Sequence, residues 1–446
     1  MKTSRLATAL ACTLFVLGLP ATLSAQSFDL RNMLTDLLRD GITLAPPTPP
    51  FPSHAAHFIG ADSAQFLALQ QFSAELASEL SSYPVASSAG GFTYRYDPAL
   101  GTFTRSADSF GPVYADRADT VGKGKFNVGL SFSHFTFDSI NNLELRDGDL
   151  RLVFTHEDTN HDGGHNALFF EGDVITSQLF LKVETDVTAF VMSYGIADNL
   201  DFGLVVPLVS VDMEAEAPAQ VQRIATAPTA PAIHTFRNGT SEDILTTSGR
   251  ASGLGDILVR AKWQILRGTP GGGLALLGEA RFPTGDERDL LGTGSTRGIL
   301  YIVGSLDMGT FSPHFNGGYG VSTDGPEGTK VPDEVVYKAG FDWAMNPRLT
   351  IAADVLGRSL LDATVVEVHD EVFTANISPA PPPNLVSATF PRLVTTTEDS
   401  HRLTGSVGLK LNPFGTFLIS LNGLFPLNDE GLRDEFSPLV AVDWSF

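Results

Sequence analysis

The stretch ILVRAKWQI, residues 257–265, indicates the fold class because its side chains alternate in character along the chain. Every second residue is apolar, and the positions between them carry the polar groups: the apolar set is Ile257, Val259, Ala261, Trp263 and Ile265, and the polar residues are Arg260, Lys262 and Gln264. Successive side chains of a β-strand point to opposite faces of the sheet. The stretch therefore predicts a strand with one face against hydrocarbon or a protein core.

The same alternation recurs in segments that begin near residues 126, 182, 200, 256, 274, 297, 311, 334, 348, 401, 416 and 437. Short connections rich in Gly, Asn, Asp and Pro, such as 195–199 and 345–347, alternate with long ones at 138–181, 214–255 and 361–400. A β-sandwich has shorter strands and no such asymmetry. We therefore predict an all-β fold, an antiparallel transmembrane β-barrel of about 12 strands over residues 120–446, with both of its ends in the periplasm.

Composition and charge limit the location and the partners of the chain. The 29 basic and 51 acidic residues give a net charge of −22, which disfavours binding to nucleic acid. Residues 1–25 have the pattern of a signal peptide, with Lys2 and Arg5 before an apolar core. The only cysteine, Cys12, lies in that segment, so the exported chain would offer no thiol chemistry. No later apolar run reaches the roughly 18 residues of a spanning helix. The expected location is the outer membrane of a Gram-negative-type envelope, with outer-membrane lipid as a partner.

Residues 26–119 differ in character from the barrel region. Helical spacing is predicted at 28–40 and 62–82, a proline-rich linker lies at 46–52, and 92–105 has the pattern of a hairpin. One apolar stripe follows the second helix: Phe66, Leu69, Phe72, Leu76 and Leu80. We interpret the segment as either a short, partly helical periplasmic segment or a plug-like segment folded into the barrel mouth.

The chain ends in an amphipathic strand whose outer face carries Val440, Val442, Trp444 and Phe446. A terminal aromatic residue on such a strand resembles the signal by which barrel-assembly machinery recognises its substrates. We therefore expect Trp444 and Phe446 to serve assembly, with that machinery as a partner.

Four stretches carry a resemblance to a known family: FGPVYADRADTVGKGKFNVGLSF (110–132), YGIADNLDFGLVVPLVSVDM (194–213), SGLGDILVRAKWQIL (252–266) and ARFPTGDERDLLGTG (280–294). From about residue 110 to 446 the chain resembles outer-membrane barrels named for the meta-pathway of phenol degradation and usually described as transporters. The motifs mark strand starts and turns. The resemblance implies a barrel that passes small, hydrophobic or aromatic compounds, and no catalytic residues are transferred by it.

One polar loop contains a candidate metal site. Asp158, Asn160 and Asp162 match the start of a calcium-binding loop, D-x-N-x-D-G, but Phe169 stands where a bidentate Glu is needed. His156, His161 and His165 lie in the same loop and are of the type that binds transition metals. The alternative is a solvated surface loop, and calcium is the only cofactor that the sequence suggests.

The polar faces of the strands would line the lumen. The candidate lining residues are Arg260, Lys262, Glu279, Arg281, His314, Glu334, Lys338, Asp342, Arg348, Asp354, Arg358, Arg402 and Lys410. These charges predict either a wetted pathway for solutes or a lattice of ion pairs that closes the barrel. The expected function is an outer-membrane channel for small solutes, without enzyme activity. Two alternatives remain: a structural or adhesive barrel with a closed lumen, and a barrel-embedded lipid hydrolase. For the hydrolase, Ser312, His314 and Asn316 share one strand face, but no nucleophile motif surrounds any serine.

Overall fold

The computed structural model describes residues 29–45, 57–58, 64–80, 82, 84, 92–97, 102–105, 107–159, 161, 164–166, 170–224, 232–268, 272–326, 330–377 and 382–446. The predicted signal peptide, the proline-rich linker and the candidate ligands Asn160 and Asp162 lie outside these residues. No helix within the described ranges is long and apolar enough to span a membrane.

The elements in chain order are α1 (Met33–Gly41), α2 (Ala64–Leu80), β1 (Tyr94–Asp97), β2 (Thr102–Arg105), β3 (Phe126–Phe137), β4 (Ser139–Ile140), β5 (Leu143–Glu144), β6 (Leu150–Thr155), β7 (Asp173–Ala197), β8 (Leu200–Arg223), β9 (Glu242–Leu254), β10 (Ile257–Arg267), β11 (Gly272–Phe282), β12 (Arg297–Leu306), β13 (Phe311–Ser322), β14 (Glu334–Asn346), β15 (Leu349–Asn376), β16 (Leu385–Phe414), β17 (Phe417–Pro426), β18 (Leu432–Arg433) and β19 (Ser437–Ser445).

Twelve antiparallel strands of this set form a closed barrel. They follow one another in the order β7, β3, β19, β17, β16, β15, β14, β13, β12, β11, β10 and β8, and the pairing of β8 with β7 closes the ring. The first and last strands meet at the end that carries the short turns, where the amide of Phe446 lies 2.8 Å from the carbonyl oxygen of Phe126. The predicted fold class and strand number are confirmed.

Four barrel strands are longer than a membrane requires. β7 and β8 have 25 and 24 residues, and β15 and β16 have 28 and 30, whereas a tilted transmembrane strand needs about 9–11. Much of 138–181, 214–255 and 361–400, which the sequence analysis assigned to loops, is therefore strand. The alternation continues into the extension of β8, where Ala215, Ala217 and Val221 are buried. It is lost in the extension of β16, as the polar run Thr395–Thr397 illustrates.

The outward-facing positions of the barrel form an apolar surface. Exposed hydrophobic side chains recur on strand after strand, among them Leu130, Phe132, Leu300, Ile302, Phe315, Val407 and Leu409. All three tryptophans, Trp263, Trp343 and Trp444, are 43–53% exposed and lie near the short-turn ends of their strands. An apolar band bordered by aromatic residues is typical of a barrel that spans a membrane.

The helices lie at the opposite, long-loop end of the barrel. α2 contacts β6, β15 and β16, and α1 contacts α2 and β9. The predicted apolar stripe is 0–1% exposed throughout, and its members from Leu69 to Leu80 join a core with Phe135, Phe154 and Leu393. β1 and β2 pair as the predicted hairpin, whereas the nearby Phe92 packs with Phe110 and Leu418 at the short-turn end. These contacts place the helices against the barrel rather than in a separate domain beside the short turns.

Candidate functional site

The lumen receives all but one of the charged residues predicted to line it. Those that face it are buried or half-buried: Arg260, Lys262, Glu279, Arg281, His314, Glu334, Lys338, Asp342, Asp354, Arg358, Arg402 and Lys410. Arg348 lies instead in the exposed turn between β14 and β15, where its amide is 2.8 Å from Oδ1 of Asn346. The prediction for Arg348 extended the alternation of β15 into the turn before it, where alternation no longer determines the side of the sheet.

Residues 107–121, termed the inner segment, occupy the part of the lumen nearer the short turns. Three lumen lysines hold its backbone by donating hydrogen bonds to carbonyl oxygens: Lys262 Nζ lies 2.6 Å from Asp119 O, Lys338 Nζ 3.0 Å from Tyr114 O, and Lys410 Nζ 2.5 Å from Pro112 O. A buried, irregular segment must satisfy its backbone groups with such partners. Much of the lumen charge therefore fixes a chain segment in place.

A chain of buried charges fastens the inner segment to β13, β14 and β15. Arg117 Nε lies 3.2 Å from Oδ1 of Asp342, and neither side chain is more than 2% exposed. The imidazole of His314 lies between two carboxylates, with Nε2 2.6 Å from Asp354 and Nδ1 3.5 Å from Asp342. Removing one member would leave a buried charge without its partner, which costs about 3–5 kcal/mol. This part of the lumen has the paired-charge arrangement that closes a barrel.

The candidate hydrolase pair does not assemble in the described structure. Ser312 and His314 share the lumen face of β13, but Ser312 Oγ has no hydrogen-bond partner among the described residues. His314 is engaged by Asp342 and Asp354 instead. A serine nucleophile requires a base within hydrogen-bond reach, and this arrangement gives no support to one at Ser312.

Asp116 links the inner segment to the upper lumen. Its Oδ2 lies 2.5 Å from Nη2 of Arg260, whose Nε lies 3.2 Å from Glu279 on the paired strand. The side-chain amide of Asn316 bonds both backbone groups of Asp116, at 2.7 and 2.9 Å. These contacts form the floor of the space above.

That space is a cavity of about 240 Å³. Its walls combine apolar side chains with a series of cations; the apolar ones include Phe135, Leu258, Ile299, Val336 and Leu356, and the cations are Arg260, Arg281, Arg297, Lys338, Arg358, Arg402 and Arg433. Tyr114 of the inner segment lines it, and so do Glu79, Ser82 and Pro84 at and beyond the end of α2. Small-molecule sites usually have mostly apolar walls and a few polar groups; this cavity has apolar walls too, but it is richer in charged side chains.

Two carboxylates bridge the cations of the upper lumen. Glu334 contacts Arg297, and its Oε2 lies 2.5 Å from Nε of Arg358. Glu79 of α2 contacts Arg402, and its Oε1 lies 3.8 Å from Nη1 of Arg358. α2 is thus fastened to the barrel wall through charges that also face the cavity.

Glu75, one turn before Glu79, lies 3.6 Å from Nη2 of Arg402. Burial raises the pKa of Glu75 to about 8, although Arg402 acts in the opposite direction and Glu79 adds to the rise. Near neutral pH Glu75 is therefore mostly protonated and contributes little negative charge.

Several residues of this site were not predicted. Arg297 lies on the same face of β12 as Ile299 and Tyr301, so the alternation along β12 could have identified it. Glu75 and Glu79 are spaced by four on α2 and flank its apolar stripe, but nothing local indicates that they face arginines more than 270 positions away. Asp116 and Arg117 lie in a stretch without periodicity, where a sequence gives no sign of burial.

The candidate calcium loop is only partly described. Among the described residues no group of three His, Cys, Asp or Glu side chains could hold a metal ion. Glu171 accepts hydrogen bonds from the amides of Thr159 at 2.8 Å and Asn166 at 3.2 Å. His156 is buried and stacks on His57, with ring centroids 5.0 Å apart. With Asn160 and Asp162 outside the described residues, calcium binding stays a prediction.

Trp444 and Phe446 lie on the outer surface of the barrel at the short-turn end, 53% and 52% exposed. Their rings contact each other with centroids 5.0 Å apart, and the ring of Phe446 also contacts Phe126 at 6.4 Å. Both remain accessible where the first and last strands join.

Comparisons with known proteins give one family match and several solved barrels. Residues 167–357 match the family described as "Putative MetA-pathway of phenol degradation". No curated protein sequence is significantly similar to the chain.

Three of the similar structures illustrate the likeness. An outer membrane channel from Pseudomonas putida F1 has a TM-score of 0.41 and 11% identity over 74% of this chain and 98% of its own. A FadL homologue from Pseudomonas aeruginosa has a TM-score of 0.32 and 10% identity over 80% of this chain and 96% of its own. The toluene transporter TbuX from Ralstonia pickettii has a TM-score of 0.28 and 10% identity over 83% of this chain and 100% of its own. The family match confirms the resemblance seen in the sequence over residues 167–357.

Proposed function

We propose that this protein is an outer-membrane channel that passes small hydrophobic or aromatic molecules by diffusion, without chemistry or nucleotide energy. The cavity of about 240 Å³ inside the barrel is the observation that carries the proposal. An apolar cavity of roughly 150 Å³ accepts benzene, so this one is large enough for a substituted single ring. The description of the matching family, a pathway of phenol degradation, agrees with an aromatic solute.

In this proposal α2 and the inner segment act as a plug, the second of the two alternatives for residues 26–119. The barrel stands in the outer membrane with the short turns in the periplasm and the long-loop end outside. α2 covers the cavity at the long-loop end through Glu79, and the inner segment forms its floor through Tyr114 and Asp116. Both contact the barrel wall through hydrogen bonds or ion pairs, and in this proposal their displacement opens the path for the solute.

A structural barrel with a closed lumen is the second candidate. The observation that favours it is the buried charge network of Arg117, Asp342, His314 and Asp354, which fills the lumen near the short turns. A barrel that never opens would keep that network intact and pass no solute.

Transport into vesicles separates the candidates. Purified protein is inserted into vesicles whose outer leaflet is lipopolysaccharide, because simple phospholipid bilayers leak small aromatic compounds. The influx of radiolabelled benzamide is then compared with that of protein-free vesicles. A channel gives faster influx, whereas equal rates favour the closed barrel. Release of fatty acid from the same vesicles would instead indicate the lipid hydrolase.

A further inference from the structure

Two pairs of arginines face each other across neighbouring strands in the upper lumen. Arg281 of β11 is directly paired with Arg297 of β12, and Arg358 of β15 with Arg402 of β16. Like charges in directly opposite positions destabilise a sheet. All four line the same cavity. Carboxylates that contact such pairs offset the repulsion, as Glu334 and Glu79 do here.

The carboxylates on this wall are fewer than the cations. Six cations face five carboxylates that contact members of the set; the cations are Arg260, Arg281, Arg297, Lys338, Arg358 and Arg402, and the carboxylates are Asp116, Glu75, Glu79, Glu279 and Glu334. Lys338 has no carboxylate within ion-pair distance among the described residues, and its Nζ lies 5.7 Å from the centre of the Tyr301 ring. The wall thus carries more positive than negative charge in a chain whose net charge is −22.

Two further carboxylates, those of Glu430 and Asp434, line the far rim of the cavity. Both lie in the connection between β17 and β19 and accept hydrogen bonds from backbone amides of other strands, Asp434 from Thr136 of β3 at 3.1 Å and Glu430 from His401 of β16. Arg433 in the same connection is paired with Asp429 at 2.6 Å. The six cations lie on the strands from β10 to β16, whereas these rim carboxylates lie on a different connection.

We propose that the preferred solute is a small amphipathic anion, a carboxylate on an apolar body of about one ring, which binds with its carboxylate between Arg358 and Arg402 in the place of Glu79. This inference rests on the proposed channel function and names the solute class of the same cavity. Arginine pairs a carboxylate through two parallel hydrogen bonds. The ring lies against Leu258, Ile299 and Val336, which line the remainder of the cavity.

Such a solute would also release the plug. Glu79 is the residue of α2 that contacts both arginines. A solute carboxylate that replaces it provides the same charge to the wall and removes an attachment of the helix. Binding and opening are then linked, because the solute binds best when Glu79 has moved away.

Benzoate and benzamide test the inference, because they share size and shape and differ in charge. Their binding to detergent-solubilised protein is measured by calorimetry, and their influx is measured in the lipopolysaccharide vesicles. The variants are Arg402→Gln and Glu79→Gln, and Arg348→Gln serves as the control because Arg348 is an exposed cation in a turn outside the lumen. Heat-dependent gel migration shows that each variant has folded.

We expect benzoate to bind at least tenfold more tightly than benzamide. Arg402→Gln should weaken benzoate binding about tenfold or more, as the loss of a hydrogen bond to a charged group does, and should leave benzamide binding within twofold. Glu79→Gln should tighten benzoate binding, and Arg348→Gln should change neither.

Equal binding of the two compounds, or an equal effect of Arg402→Gln on both, would overturn the inference. Benzamide influx without a benzoate preference would leave the channel in place and refute only the anionic solute. Selective benzoate binding without any influx would refute the channel and retain the binding site.

Discussion

Arg358 and Arg402 occupy directly paired positions on β15 and β16, so two guanidinium groups face the lumen side by side. Glu79 of α2 contacts both, and Glu334 contacts Arg358 from the other side. The barrel wall therefore depends on a carboxylate from a separate element to offset its own repulsion. The attachment of α2 thus has an electrostatic part beside its apolar packing, and that part is open to competition and to changes of pH.

Replacing Glu79 should loosen α2 without unfolding the barrel. Glu79→Gln removes a nearly buried charge from its two arginines, and we expect the attachment to weaken by about 3 kcal/mol. Amide hydrogen exchange over residues 64–80 should then accelerate about a hundredfold. Glu184→Gln, which breaks the exposed pair with Lys182, should change exchange in α2 by less than about fivefold. Unchanged exchange in Glu79→Gln would contradict the role of this contact.

The attachment of α2 should weaken as pH rises. The pKa of Glu75 is raised from 4.5 to about 8 in the attached helix, so the attached state binds the proton more tightly. The contribution of protonated Glu75 to the stability of the α2 attachment is full below about pH 4.5 and is lost as the pH rises through about 8. A spin label on α2 should report more motion at pH 8.5 than at pH 5, and Glu75→Gln should remove the difference. Greater mobility of the spin label at pH 5 than at pH 8.5 would contradict the predicted direction of the pH dependence.

The two faces of the barrel should respond differently to substitution. Val355 is exposed on the outer face of β15, and Val355→Arg should cost about 2–4 kcal/mol if it meets the bilayer midplane. Lys338→Ala on the inner face removes a hydrogen bond to Tyr114 and should leave insertion intact while changing solute flux. Heat-dependent gel migration measures insertion of both. If Val355→Arg inserted normally and Lys338→Ala failed to insert, the assignment of the outer and inner faces of the barrel would have to be reversed.

Deleting Phe446 should impair assembly more than the loss of one surface aromatic does. Burying such a side chain against lipid contributes only about 1.5–3 kcal/mol. The amount of protein in the outer membrane, measured beside Phe132→Ala as a matched exposed phenylalanine on β3, reports the difference. Equal amounts of the two variants in the outer membrane would contradict a role of Phe446 as an assembly signal and leave it as an ordinary lipid contact.

The barrel could be predicted from the sequence because lipid imposes a strict alternation on every strand that crosses it. Trp263 and Arg260 lie on opposite faces of β10 for that reason alone. Where the strands leave the membrane the constraint ends, so the extensions of β15 and β16 were assigned to loops. Arg348 was misplaced because it lies one residue before β15 begins.

The site required more than alternation. The charges that line the cavity could be assigned to the inner face, but their partners come from elsewhere in the chain. Asp116 reaches Arg260 and Glu79 reaches Arg402 only because irregular and helical segments fold into the barrel. Such contacts follow from tertiary packing and leave no local pattern in the sequence.

The most direct test of a solute channel closed by α2 is a reversible cross-link between that helix and the barrel wall. The side chains of Gln71 in α2 and Thr395 in β16 contact each other, and the only native cysteine lies in the predicted signal peptide. The double variant Gln71→Cys/Thr395→Cys should pass benzamide into lipopolysaccharide vesicles when reduced and should stop when the disulfide forms. Equal influx in the oxidised and reduced states would contradict the plug, and no influx in either state, with wild-type protein also inactive, would contradict the channel.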